Sequence, residues 1–106
     1  MSREKKKIRQ KFREEVFKRD KNKCRLCGIS KIKLDAHHIT DADQMPGGGY
    51  VKENGITLCD DGEKGCHFKA ELHTIGKTVE GYEPETLYEM INSSYDIAYN
   101  SSLKLL

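Results

Sequence analysis

Four cysteines and four histidines carry most of the chemistry available to this 106-residue chain. Cys24 and Cys27 stand two residues apart, the spacing of a zinc knuckle. In such a turn two thiolates bind one ion at roughly 2.3 Å, and backbone N–H groups support the sulfurs. Cys59 and Cys66 form a second pair with six residues between them, a looser spacing than structural pairs usually have. Four thiolates complete a tetrahedral zinc and leave no open position, so this site is expected to be structural. It would supply folding free energy rather than reactivity. His37, His38, His67 and His73 all fall between residues 37 and 73. Adjacent histidines on an extended strand point to opposite sides, so His37 and His38 should do different work. One is suited to binding a metal and the other to holding a water.

The elements that must position these residues can be read from the pattern around them. Ile8, Phe12 and Val16 recur every four residues and predict a helix from about residue 8 to 19. The polar run 20–23 ends it and leads into the Cys24–Cys27 knuckle. Residues 32–39, which contain both adjacent histidines, read as a short strand. Residues 40–54 have loop composition, centred on Pro46-Gly47-Gly48-Gly49. That glycine run lacks the Lys-Ser/Thr of a phosphate-binding P-loop and reads as a flexible turn. Gly55-Ile56-Thr57-Leu58-Cys59 suits a second strand. A helix is expected from near Cys66 to about Ile75, stopped by Gly76. Beyond a linker with Gly81 and Pro84, the residues Leu87, Met90 and Ile91 predict a further helix, with Tyr95, Ala98 and Leu103 as its continuation. The four tyrosines Tyr82, Tyr88, Tyr95 and Tyr99 are expected to pack these C-terminal elements.

Composition bounds what such a chain can be. The length fits one domain, 1–106, divided into a basic helical arm (1–23), a core (24–76) and a helical extension (77–106). Apolar residues make up 36% of the chain and charged residues 34%, so the core is thin and a metal is a natural supplement. The first residues are charged throughout and no apolar run reaches membrane-spanning length. A reducing, cytoplasmic location without membrane association is therefore expected, where a cysteine pattern means metal rather than disulfide. The net charge of +2 conceals an asymmetry. Residues 1–33 hold 14 basic and 4 acidic side chains, residues 34–106 hold 5 and 13. A basic arm of this kind suits contact with a phosphate backbone.

In this order the chain resembles the HNH endonuclease family, in its zinc-bearing, four-cysteine form. The resemblance rests on Ala36-His37-His38-Ile39, on Asn54-Gly55-Ile56-Thr57-Leu58-Cys59 and on Cys66-His67, preceded by residues 17–28 around the knuckle. It covers roughly residues 12–76. It implies an α+β fold, the ββα-metal motif, in which two antiparallel strands and a helix hold one catalytic cation. By position it makes His38 the general base, and His37 and His67 ligands of that cation. Asn54 becomes the central asparagine, bridging backbone across the long loop to hold the His38 segment. Cys24, Cys27, Cys59 and Cys66 become the ligands of a structural zinc.

Two departures from the family pattern stand out. The second cysteine pair carries four extra residues, readable as an insertion in the exposed turn 60–65. Many members also place a histidine four residues after the one at the helix start. Here that position is Glu71, on the same helix face as His67. His73 lies two further on and points elsewhere on a regular helix, so Glu71, His73 or water remains as the third ligand.

The resemblance implies metal-dependent hydrolysis of DNA phosphodiester bonds, by nicking or double-strand cleavage. The catalytic cation would be Mn2+, Ni2+, Co2+, Zn2+ or Mg2+, with imidazole ligands favouring the transition ions. No module for reading a long site is visible, so specificity would be low or lent by a partner protein, and double-strand cleavage would call for a homodimer or successive nicks. The compact build is similar to phage and mobile-element members, whose place of action is the host cytoplasm. Two readings from other classes compete: a zinc-supported nucleic-acid adaptor without catalysis, and a structural interaction protein docking through its acidic half. An adaptor has no need of His37, His38, Asn54 and His67 together.

Overall fold

A computed structural model describes residues 3–106. Met1 and Ser2, at the start of the basic segment, lie outside the described residues. The molecule is a small α+β fold built around one antiparallel hairpin. Strand β1 (Leu34–His38) pairs with β2 (Gly55–Cys59), with Leu34 opposite Cys59 and His38 opposite Gly55. Every residue of β2 is buried, which is why its sequence is apolar or β-branched rather than alternating. Among the described residues no helix is long and apolar enough to cross a membrane.

Helices cover both faces of the hairpin. Helix α1 (Arg3–Arg19) lies on one side, where Phe12, Val16 and Ala36 form a compact apolar cluster. It begins five residues before the apolar stripe does, because the charged residues preceding the stripe are good helix formers. Burying Phe12 and Val16 stabilises the fold by about 1.5–3 kcal/mol each. Gly55 makes that approach feasible, since a Cβ there would fall 2.6 Å from the side chains of both Phe12 and Val16. On the other face Ile39, Ile56 and Leu58 pack with Ala70, Leu87 and Ala98. These last three come from α2 (Cys66–Glu71), α3 (Pro84–Met90) and α4 (Tyr95–Leu103) respectively.

The end of α1 is fastened to the hairpin by Asp20, which is almost wholly buried. Its carboxylate accepts two hydrogen bonds from the Arg19 guanidinium (both 2.8 Å), one from Arg25 (3.1 Å) and one from the Thr57 N–H (2.9 Å). Arg25 also donates to the Met90 carbonyl, which joins the knuckle to α3. The basic segment is thus integrated into the fold along its apolar stripe.

Several expected elements take a more detailed form. The segment between the strands is ordered into three short 3-10 turns, Ala42–Gln44, Pro46–Gly48 and Lys52–Asn54. Helix α2 tightens into a 3-10 turn over Leu72–Ile75, and Gly76, at φ 76°, ends it. The C-terminal pattern forms two helices rather than one continuous helix. Asn92 adopts a left-handed φ of 56°, and Ser94 Oγ then accepts the Ile97 N–H at 3.1 Å to start α4.

Candidate metal centres

The knuckle closes through hydrogen bonds from the Cys24 N–H to the Ile29 carbonyl and from the Gly28 N–H to the Cys24 carbonyl, both 2.9 Å. The Arg25 N–H donates to the Thr57 carbonyl at 2.9 Å and so holds the turn beside β2, which ends in Cys59. The six residues before Cys66 fold back on themselves, with the Lys64 N–H on the Asp61 carbonyl and the Gly65 N–H on the Gly62 carbonyl (both 3.1 Å). That compact turn absorbs the long spacing and returns Cys66 to Cys59, whose sulfur accepts the Cys66 N–H at 3.3 Å.

The four sulfurs consequently lie within 4.8 Å of one another, all as free thiols. Cys27 Sγ and Cys59 Sγ are 3.6 Å apart. A tetrahedron of roughly 2.3 Å zinc–sulfur bonds has edges of about 3.8 Å, so the spacing suits one ion. Burial opposes ionisation of Cys24, but the backbone of Cys27 and Leu26 outweighs it and holds the thiol down to about 7. Burial pushes Cys66 up to about 12, against the Tyr82 hydroxyl that donates to its sulfur at 3.7 Å. Four clustered thiolates need a cation to coexist, and this cluster is a candidate structural metal site.

A second group of donors forms where β1 meets α2. His37 and Asp35 share one face of β1, two residues apart, while His67 and Glu71 are one turn apart on α2. Glu71 Oε1 lies 3.3 Å from His37 Nδ1 and 3.1 Å from His67 Nε2. One donor atom each from His37, His67 and Glu71 fits within 4.8 Å. His67 Nδ1 is 3.2 Å from Asp35 Oδ2. His37 is only 4% exposed, and its Nδ1, though close to Glu71, has no hydrogen-bond partner. The neighbouring His37 is the strongest influence holding the Glu71 carboxyl below its ordinary value, against the effect of burial. His73 is not part of this group. Its Nδ1 pairs with Thr78 Oγ1 at 2.7 Å.

His38 faces the other way, toward α1. Its ring stacks on Phe12 (centroids 4.7 Å apart) and meets Tyr50 edge-on at 4.6 Å. Burial first, and then the charge on His37, push its pKa down to about 4, so the ring is neutral near pH 7. Its Nε2 is buried without a hydrogen-bond partner.

Asn54 is fully buried, and its amide ties the loop between the strands to itself and to α3. Nδ2 donates to the carbonyls of Thr40 (3.1 Å) and Gly49 (3.2 Å). Oδ1 accepts the Thr40 N–H (3.0 Å) and the Tyr88 hydroxyl (2.7 Å). The backbone just after His38 is fixed by these bonds.

Sequence reasoning singled out neither Asp35 nor the role of Tyr88, nor the Phe12–Tyr50 enclosure of His38. Asp35 was detectable, because a residue two before His37 on a strand must share its face. Tyr88 was not, since its bond to Asn54 spans 34 residues. Comparison with protein-family models, with curated proteins and with solved structures gave no match.

Proposed function

We propose that this chain is a metal-dependent endonuclease of the HNH type that hydrolyses DNA phosphodiester bonds, with His38 as general base and the four cysteines holding a structural zinc. The observation that carries the reading is the convergence within 4.8 Å of His37, on the strand that also bears His38, with His67 and Glu71 of α2. The donor set fits a divalent cation. Two imidazoles and one carboxylate suit Mn2+, Co2+, Ni2+ or Zn2+, and the carboxylate also admits Mg2+. In this reading Glu71 is the third protein donor. A cation bound there supplies charge neutralisation to the phosphate and to the departing 3′ oxygen.

The remaining chemistry belongs to the chain itself. In this reading the neutral His38 imidazole, whose Nε2 is buried without a partner, takes the proton of an attacking water when substrate opens a path to it, a contribution of typically ~10²–10⁴-fold. Phe12 and Tyr50 hold that ring in one orientation, and Asn54 fixes the backbone immediately after it. Arg9, stacked 5.2 Å over Tyr50, and Arg13, 4.0 Å from Asp35, bring positive charge from α1 to this edge of the hairpin and suit a phosphate backbone. The products expected are a 3′-hydroxyl and a 5′-phosphate.

Incubating the zinc-loaded protein with supercoiled plasmid and a series of divalent ions tests this directly. Nicked or linear product is expected with several ions, and His38→Ala should lose at least about 100-fold in rate while keeping its zinc content and melting temperature. Full cleavage by His38→Ala, or no cleavage with any ion, overturns the assignment.

A further inference from the structure

A cleft of about 510 Å³ opens beside the histidine cluster, between the segment after β1 and helices α3 and α4. Its size falls within the roughly 300–1,000 Å³ of small-ligand sites. His37, which is buried, forms part of its wall, so the cleft shares one residue with the candidate cation group, although the Nδ1 of that residue is turned to Glu71 at 3.3 Å. No lysine or arginine lines the cleft among the described residues. Its charged walls are the carboxylates of Asp41, Glu85 and Glu89, none of which is in an ion pair among the described residues. Tyr95 lies at its edge, 48% exposed.

This composition repels a phosphate and suits a flat, polar group rich in N–H donors. Carboxylates accept from the amino group of cytosine, and a tyrosine ring offers a stacking surface to any base. A base within the duplex is stacked on both faces, so only one that has left the stack can enter the cleft and lie against Tyr95. The phosphate-seeking arginines, Arg9 and Arg13, belong to α1 and line no part of the cleft. Backbone and base therefore have separate places on the surface.

We infer that the cleft bordered by His37, Glu85, Glu89 and Tyr95 binds an unpaired, amino-bearing nucleobase next to the cleaved bond, so that the enzyme acts on single-stranded or locally opened DNA. The inference rests on the nuclease reading above for the substrate, but its test does not depend on cleavage. Fluorescence anisotropy of the zinc-loaded protein, without added divalent ion, compares labelled oligo-dC, oligo-dT and duplex of equal length (~15 nucleotides). Oligo-dC is expected to bind about five-fold more tightly than oligo-dT, and both more tightly than duplex. Tyr95→Ala should weaken both single strands about five- to ten-fold and leave duplex unchanged. The double variant Glu85→Gln/Glu89→Gln should abolish the preference for dC over dT without weakening dT.

Duplex binding as tight as single-strand binding, or variants that shift all three probes equally, overturns the inference. So does a lysine-rich peptide that binds more tightly than oligo-dC and depends on the same two glutamates, because the cleft is then a protein-docking site. Plasmid cleavage without the binding pattern removes this inference and keeps the nuclease. The binding pattern without cleavage of any substrate removes the nuclease and keeps the nucleobase site.

Discussion

Glu71 Oε1 sits between two imidazole nitrogens, and the protonation of those rings decides what the group can be. Asp35 Oδ2, 3.2 Å from His67 Nδ1, favours the proton on that nitrogen. His67 Nε2 then turns a lone pair toward the Glu71 carboxylate at 3.1 Å, an arrangement that is repulsive until a cation or a proton lies between them. Asp35 thereby acts as a positioning residue. In the proposed reading it orients His67 and favours that tautomer, leaving the ligand roles to His37, His67 and Glu71. Asp35→Asn is expected to weaken divalent-ion binding at the histidine group about 10- to 100-fold. Calorimetric titration of the zinc-loaded protein with Mn2+ reads that affinity, while zinc content reports the cysteine cluster independently and should not move. Unchanged Mn2+ affinity would reduce Asp35 to a surface partner of Arg13.

At the scale of elements, Asp20 locks α1, the knuckle and β2 together. Burial alone would raise its carboxyl, but hydrogen bonds from Arg19 and the Thr57 N–H prevail and leave it below the ordinary value of 3.8. A carboxyl depressed by folding stabilises the native state above its unfolded pKa, and the stabilisation is lost as pH falls through the lower, folded value. Asp20→Asn should therefore cost about 2–3 kcal/mol at neutral pH, and the gap to wild type should stay constant from pH 7 to 5 in urea unfolding. A gap that narrows within that interval would place the responsible titration elsewhere. This junction also marks how far the sequence could be read. The span of β2, the Gly76 stop and the opposite facing of His37 and His38 follow from local rules, since period, turn residues and strand alternation involve near neighbours only. Glu71 was reachable from helical spacing. Asp20, Tyr88 and the fastening of the basic segment were not, because each depends on partners more than thirty residues away. The break between α3 and α4 was hidden by apolar residues that continue across it, although Asn92 and Ser94 carry the signal.

Across the whole molecule the cysteine cluster reaches further than its four residues. It unites the knuckle, the end of β2 and the start of α2, and Tyr82 extends the connection toward the C-terminal helices through its bond to Cys66. Only Cys66 and Ala70 of α2 are buried, so the cluster is a principal fastening of α2 to the hairpin, and the placement of those two elements sets His67 and Glu71 opposite His37. Structural zinc in small domains contributes on the order of 10 kcal/mol at neutral pH. Loss of even half of that, at about 4–8 °C per kcal/mol, lowers the melting temperature by roughly 20–40 °C. A strong chelator is accordingly expected to produce such a fall in thermal unfolding followed by circular dichroism, to abolish divalent-ion binding at the histidine group, and to be reversed by one equivalent of zinc under reducing conditions. Removal of an ion bound at the histidine group, in the proposed reading, should leave the melting temperature within a few degrees, because Asp35 already holds His67 from the protein side. A melting temperature indifferent to the chelator would mean that the thiols stand together without an ion, and that the hairpin and α2 are held by their apolar contacts alone.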